Sequence, residues 1–122
     1  MGPWMCDLND TITATPDLMR AICRGLRDAG HEIHILTGCQ QENVTPDIGA
    51  EKFAQLAQAG FKQGRDYDKV VVVSGPEKHV ARNKVQYMQH VGAAGLIDDR
   101  KRNVKAARKA GFMALRHVDP KK

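Results

Sequence analysis

Five short apolar runs alternate with four helical stretches along this chain, and that alternation leaves few folds open. The runs are Trp4–Cys6, Ile33–Leu36, Val70–Val73, Leu96–Ile97 and Phe112–Leu115, and the helical stretches cover residues 16–29, 46–59, 77–91 and 101–110. A strand–helix–strand repeat builds parallel neighbours through right-handed crossovers. The expected fold is therefore α/β: a three-layer, Rossmann-like parallel five-stranded sheet in one domain spanning residues 1–122. That length suits one core of this kind.

The punctuation supports these limits. Thr15-Pro16-Asp17 and Thr45-Pro46-Asp47 each read as a capping hydroxyl, a proline at the first helical position and an acid near the positive end of the helix dipole. Gly30, Gly60, Gly92 and Gly111 each follow a helical stretch, as a terminating left-handed residue does. The expected inward stripes are Leu18, Ile22 and Leu26 with Met19 beside them; Ile48, Phe53, Leu56 and Ala57; Val80, Val85, Met88 and Val91; and Val104, Ala107 and Ala110. The valines at 70–73 suit a strand covered on both faces. The first strand is very short, because Gly2-Pro3 precedes it.

The residues that carry chemistry gather where strands give way to loops. Asp7-Leu8-Asn9-Asp10-Thr11-Ile12 follows the first run, Thr37 ends the second, and Asp98-Asp99 ends the fourth, with Lys84 in the helical stretch between. In an open α/β sheet those ends form the crevice where ligands bind. Carboxylates, a hydroxyl and an ammonium converging there suggest a magnesium ion, which takes oxygen ligands, and a phosphate.

These pieces together resemble the haloacid dehalogenase-like (HAD) superfamily. Its first motif is D-x-D-x-T followed by an apolar residue, a Ser or Thr ends the second strand, a Lys comes later, and an acidic pair ends the fourth strand. The resemblance runs from residue 4 to about residue 115, and Leu96-Ile97-Asp98-Asp99-Arg100, continuing through Asn103-Val104, Ala107 and Gly111, is especially similar. It implies a Mg2+-dependent phosphomonoester hydrolase, a phosphatase, with Asp7 as nucleophile and metal ligand passing through an aspartyl-phosphate. It implies that the Asn9 carbonyl and one or both of Asp98 and Asp99 also hold the metal, Asp99 in direct contact. Thr37, Gly38 and Lys84 would bind the phosphoryl group, and Lys84 would neutralise its growing charge. Lys84 is preferred to Lys78 because Val85 and Met88 facing inward turn it toward the strand ends. Asp10 stands where the family often has Gly and reads as structural.

Asn9 departs from the family pattern. In family phosphatases a carboxylic acid at that position protonates the leaving oxygen and then activates water, and an amide cannot. Such proton transfer contributes about 10²–10⁴-fold. The resemblance therefore implies an enzyme impaired by Asn9, with a catalytically inactive phosphate-binding module as the alternative. Only 25 residues separate Thr11 from Thr37, and the 46 between Thr37 and Lys84 hold a helix, a strand and connections, so no cap domain is expected. An open site suits large substrates such as nucleic-acid ends or phosphoproteins, or a cap lent by another subunit, with a small nucleotide as the alternative. There is a weaker likeness to the phosphatase domain of polynucleotide kinase-phosphatases.

Other classes are excluded by order and spacing. Gly75-Pro76-Glu77-Lys78 lacks the second glycine of a P-loop. A response-regulator receiver has its acidic pair early and its Lys last, the reverse of the order here. Cys39 lacks the arginine six residues on that a cysteine phosphatase needs, since Thr45 stands there. Cys6, Cys23 and Cys39 are an odd number without CxxC spacing, which suits free thiols in a reducing cytoplasm and no structural zinc. No histidine is assigned to metal. Neither a signal peptide nor an apolar run of about 18 residues is present, so no membrane partner is expected. The net charge of +5 is uneven: residues 1–61 balance at −4 and residues 62–122 at +9, six of the positive charges lying between Arg100 and Lys109. That stretch suits either a surface for an anionic partner or a solvated helix face.

Overall fold

The computed structural model describes residues 1–39, 41 and 43–119. Its strands are β1 (Trp4–Cys6), β2 (Ile33–Gly38), β3 (Lys69–Val73), β4 (Gly95–Asp98) and β5 (Met113–Arg116). They alternate with α1 (Pro16–Asp28), α2 (Pro46–Gln58), α3 (Glu77–Val91) and α4 (Lys101–Lys109). The five strands form one parallel sheet in the order β3-β2-β1-β4-β5. The chain runs outward from β1 to β3, then returns to place β4 and β5 on the other side of β1.

That reversal divides the helices between the two faces. Met19 and Cys23 of α1 and Leu56 of α2 pack with Trp4, Cys6, Ile33 and Ile35. Met88 of α3 and Val104 and Ala107 of α4 pack with Met5, Leu36 and Leu96 on the opposite face. Three residues suffice for β1 because it is central. Trp4 and Cys6 pair with Ile33 and Ile35 on one side and with Gly95 and Ile97 on the other. Gly30, Gly60, Gly92 and Gly111 all take positive φ at the helix ends, between 65° and 97°.

Several expectations about facing are corrected by the sheet order. The valines of β3 are covered on both faces, Val70 by one cluster and Val71 and Val73 by the other, but at the edge of the sheet they are half-buried. In α1 the inward positions are Met19 and Cys23, with Ile22 and Leu26 on their flank, while Leu18 is 56% exposed. In α2 the stripe is Ile48, Lys52 and Leu56, and Phe53 is exposed. Val85 and Val91 are half-buried, and Ala110 is exposed. Thr45 Oγ1 accepts the Ile48 N–H at 3.4 Å and caps α2. The Thr15 hydroxyl instead pairs with His117 Nε2 at 2.7 Å, so α1 starts without that cap. No helix among the described residues is long and apolar enough to cross a membrane.

The corrected stripes set the expected stability ranking. Leu56→Ala, at a fully buried position, should lower the unfolding free energy in urea by about 2–5 kcal/mol. Leu18→Ala should change it by no more than about 0.5 kcal/mol. Equal losses at the two positions would contradict the assigned facing.

Candidate active site

β1 and β4 are neighbours, so their carboxyl ends open side by side at the point where the chain reverses direction. Asp7 follows β1, and its N–H donates to the Ile97 carbonyl at 2.9 Å, which ties the loop to β4. The loop then turns tightly: Asn9 is extended (φ −71°, ψ 130°) and Asp10 left-handed (φ 61°, ψ 6°). Asp tolerates that region better than most side chains. The Asp10 N–H donates to Thr13 Oγ1 at 2.9 Å, and the Thr13 N–H closes on the Leu8 carbonyl at 3.1 Å. The turn buries Thr11 and brings its hydroxyl to 3.2 Å from both Asp7 Oδ2 and Asp99 Oδ1, so one hydrogen serves two carboxylates.

Lys84 enters from α3 and is 2% exposed. Its Nζ donates to Asp7 Oδ1 at 2.9 Å and to Asp98 Oδ2 at 2.7 Å. Burial disfavours the ammonium, but the two carboxylates outweigh it and hold the Lys84 pKa above its ordinary value. Lys78 is exposed and has no such contact. Asp98 also accepts the Arg100 N–H at 2.9 Å and Asn103 Nδ2 at 3.0 Å, so its oxygens are committed to the protein. Asp99 is half-buried and, besides its contact with Asp7, accepts the Thr11 hydroxyl, so it is less committed to the protein than Asp98.

Asp7 is 6% exposed, and burial pushes its carboxyl up to about 7. The Lys84 charge pulls the other way, while the Asp98 charge and a hydrogen bond with Asp99 add to the rise. Oxygens of Asp7, Asp98 and Asp99 lie within 4.8 Å of one another. Fully ionised, these three carboxylates have one bonded ammonium among them, a deficit of two unit charges. A divalent cation that favours carboxylate oxygens, as magnesium does, fits both that charge and that donor chemistry.

Beside the carboxylates lies a cleft of about 110 Å³ lined by Asp7, Asn9, Thr37, Gly38, Lys84 and Arg100, among others. Thr37 is 1% exposed at the end of β2, and its hydroxyl donates to Asn9 Oδ1 at 3.4 Å. At Gly38 an added Cβ would stand 3.0 Å from Val80 Cγ1, so a side chain there would crowd the cleft wall. Lys52 Nζ reaches the same Asn9 Oδ1 at 3.1 Å.

The fold thus brings Asp7, Asn9, Thr37, Gly38, Lys84, Asp98 and Asp99 to one place, six of them by direct polar contact or shared partners. Three further residues belong to the site: Thr11 and Asn103, named in the sequence only as parts of motifs without a role, and Lys52, which was not singled out. Asn103 had a readable signal, a polar residue beside the inward Val104. Lys52 had a clearer one, since it sits four residues from both Ile48 and Leu56 in the apolar stripe of α2.

Neither a family model nor a curated protein matches the sequence. Solved structures match it in shape. An uncharacterized protein from Corynebacterium glutamicum aligns with a TM-score of 0.61 at 19% identity, over 97% of this chain and 85% of its own. A HAD family enzyme from Bacteroides thetaiotaomicron, in complex with magnesium and inorganic phosphate, aligns at 0.51 and 16% identity over 95% of this chain. This chain spans 56% of that enzyme's length. A protein from the universal stress protein family of Burkholderia pseudomallei aligns at 0.53 and 15% identity, over 93% of this chain and 94% of its own. At these identities the likeness establishes the fold alone, a Rossmann-like parallel α/β sheet.

The raised Asp7 pKa makes metal-free stability depend on pH. The folded chain holds the Asp7 proton more tightly than the unfolded chain, whose ordinary value is 3.8. That contribution is fully present below about pH 4 and is lost as pH rises through about 7. The melting temperature in a chelator should therefore fall between pH 5 and 8, and Asp7→Asn should flatten the decline. An equally steep decline in Asp7→Asn would place the titrating group elsewhere.

Proposed function

We propose that this chain is a Mg2+-dependent phosphomonoester hydrolase acting through an aspartyl-phosphate on Asp7. The observation that carries the reading is the buried Lys84 ammonium held between Asp7 and Asp98 at the reversal point of the sheet, with the Asp99 carboxylate beside them. Asp7, Asp99 and the Asn9 main-chain carbonyl would hold the ion, and Asp98 would keep Lys84 in place. When bound, magnesium supplies the positive charge that lets an anionic phosphate approach an anionic carboxylate.

The chain's own residues account for the remaining steps. An Asp7 oxygen attacks phosphorus in line, and the ester P–O bond breaks with its electron pair going to the leaving oxygen, which takes a proton from solvent and departs as the alcohol. Water then attacks phosphoryl-Asp7, releasing inorganic phosphate and restoring the carboxylate. Thr37 Oγ1 and the Gly38 backbone hold the phosphoryl oxygens, and the Lys84 ammonium neutralises the charge that grows on them. Attack requires ionised Asp7, so cation binding and proton release from Asp7 go together near pH 7.

Arg100 and Arg102 line the same cleft, and the side chains of Lys101, Lys105 and Lys109 along α4 are exposed. This basic rim favours a substrate whose phosphate belongs to a nucleotide or a nucleic-acid end, taken without a cap domain. The three free cysteines suit a cytoplasmic enzyme. Asn9 favours a second reading, a phosphate-binding module without turnover, because its amide cannot cycle a proton.

Hydrolysis of 4-nitrophenyl phosphate should require magnesium, and Asp7→Ala should reduce it to background while leaving the melting temperature near that of the parent chain. Turnover that survives Asp7→Ala would rule out the aspartyl-phosphate. Magnesium-dependent binding of inorganic phosphate with no turnover of any phosphomonoester would favour the binding module.

A further inference from the structure

Lys52 is a buried cation that the steps above leave unused. It stands one turn from Ile48 and one from Leu56 on the inward stripe of α2 and is 7% exposed. An ammonium carries three N–H donors. Among the described residues Nζ makes one hydrogen bond, to Asn9 Oδ1 at 3.1 Å, and no ion pair. Lys84, by contrast, is answered by two carboxylates. A buried charge is stabilised by an opposite charge, and one amide dipole supplies only part of that. The remaining donors and the unanswered charge fit an anion that arrives with a ligand. Lys52 lines a cleft of about 360 Å³ that shares Asn9, Gly38 and Arg100 with the cleft beside Asp7, so one molecule can occupy both. Arg100, exposed at the shared wall, heads α4, whose first turn carries no acid. Cations at the positive end of a helix dipole are unfavourable by themselves and add to the attraction for an anion. The acid that lines this cleft, Glu51, is exposed, where solvent and salt screen it.

We propose that Lys52, with Arg100 on the same cleft, forms a subsite for a second anionic group of the substrate; the proposal rests on the reading above that seats the reacting phosphate at Asp7. The site then selects phosphomonoesters that carry a further phosphate or a carboxylate. Thr37, Gly38 and Lys84 hold the reacting phosphate, and Lys52 holds the anion beyond it. Its charge acts on binding and leaves the bond-breaking steps to the groups around Asp7.

Asn9 sets the charge of this subsite. It lines both clefts, and its Oδ1 accepts from Thr37 at 3.4 Å and from Lys52 at 3.1 Å. An aspartate in its place would put a carboxylate against the Lys52 ammonium and cancel much of the attraction for an incoming anion. The amide holds Lys52 in position and leaves its charge to the substrate. The departure of residue 9 from the family pattern is then a gain in selectivity as well as a loss in proton transfer.

The test compares, with magnesium, two pairs of substrates that differ by one anionic group. One pair is adenosine 5′-monophosphate and adenosine 3′,5′-bisphosphate, and the other is glycerol 3-phosphate and 3-phosphoglycerate. In at least one pair the parent chain should show a kcat/KM about tenfold or more higher for the member with the extra anion. A preference in the adenosine pair assigns the subsite to phosphate, and one in the glycerol pair to carboxylate. Lys52→Met keeps most of the buried stem and should abolish the preference by raising KM for the doubly anionic member. Its kcat, and its kcat/KM for the singly anionic member, should stay close to the parent values. Asn9→Asp should shrink the preference in the same direction. No preference in either pair, or one that survives Lys52→Met, would overturn the proposal while leaving the phosphatase reading standing. Equal losses on both members of a pair would overturn it in favour of a structural role. If no phosphomonoester is turned over, the phosphatase reading fails and binding decides the subsite. Adenosine 3′,5′-bisphosphate should then raise the melting temperature more than adenosine 5′-monophosphate does in the parent chain, but not in Lys52→Met. Equal rises with the two ligands in the parent chain would overturn the subsite as well.

Discussion

Lys84 reaches from α3 to the ends of β1 and β4, and the placing of the other groups at the strand ends follows from its bonds to Asp7 and Asp98. The two carboxylates belong to different strands, and close together in a buried site they would repel without a cation between them. The ammonium couples the two halves of the sheet where the chain reverses direction. It also commits Asp98 to the protein, with Asn103 and the Arg100 N–H completing that commitment. Asp7 and Asp99 are left sharing one hydroxyl hydrogen from Thr11. A site so arranged is short of positive charge, and the raised Asp7 pKa expresses that shortage in the metal-free chain.

Much of the fold was legible because its signals are local. Apolar runs, capping residues and terminal glycines placed the five strands and four α-helices of the described residues within about two residues of their observed limits, as β1 at Trp4–Cys6 and α3 at Glu77–Val91 illustrate. What could not be read was the order of the strands. Four consecutive valines describe a buried strand equally well at the centre or, half-covered, at the edge, and only the reversal after β3 decides between them. The facing of α1 and α2 failed for a related reason. Leu18 and Phe53 belong to plausible periodic stripes, but the rotation of each helix is set by the sheet beneath it.

The site followed the same division. Residues at strand ends were found because position along the chain fixes position in an α/β sheet. The burial of Lys52 was readable from its place in the apolar stripe of α2, but its contact with Asn9, which joins α2 to the first loop across 43 residues, was not, because no local pattern records it. The charge asymmetry was partly resolved. Lys101, Arg102, Lys105, Arg108 and Lys109 are solvent-exposed, as a solvated helix face requires, yet Arg102 and the preceding Arg100 also line the cleft beside Asp7. Lys121 and Lys122, which add to the basic half, lie outside the described residues.

Three carboxylates around one ammonium would make a site for a single divalent cation. Calorimetric titration of the metal-free chain with magnesium at pH 7.5 tests it most directly. One ion should bind per chain, with proton release that grows as the pH is lowered toward 7, and Asp99→Ala should abolish or severely weaken the binding. The absence of binding in the parent chain, or unchanged binding in Asp99→Ala, would contradict the account.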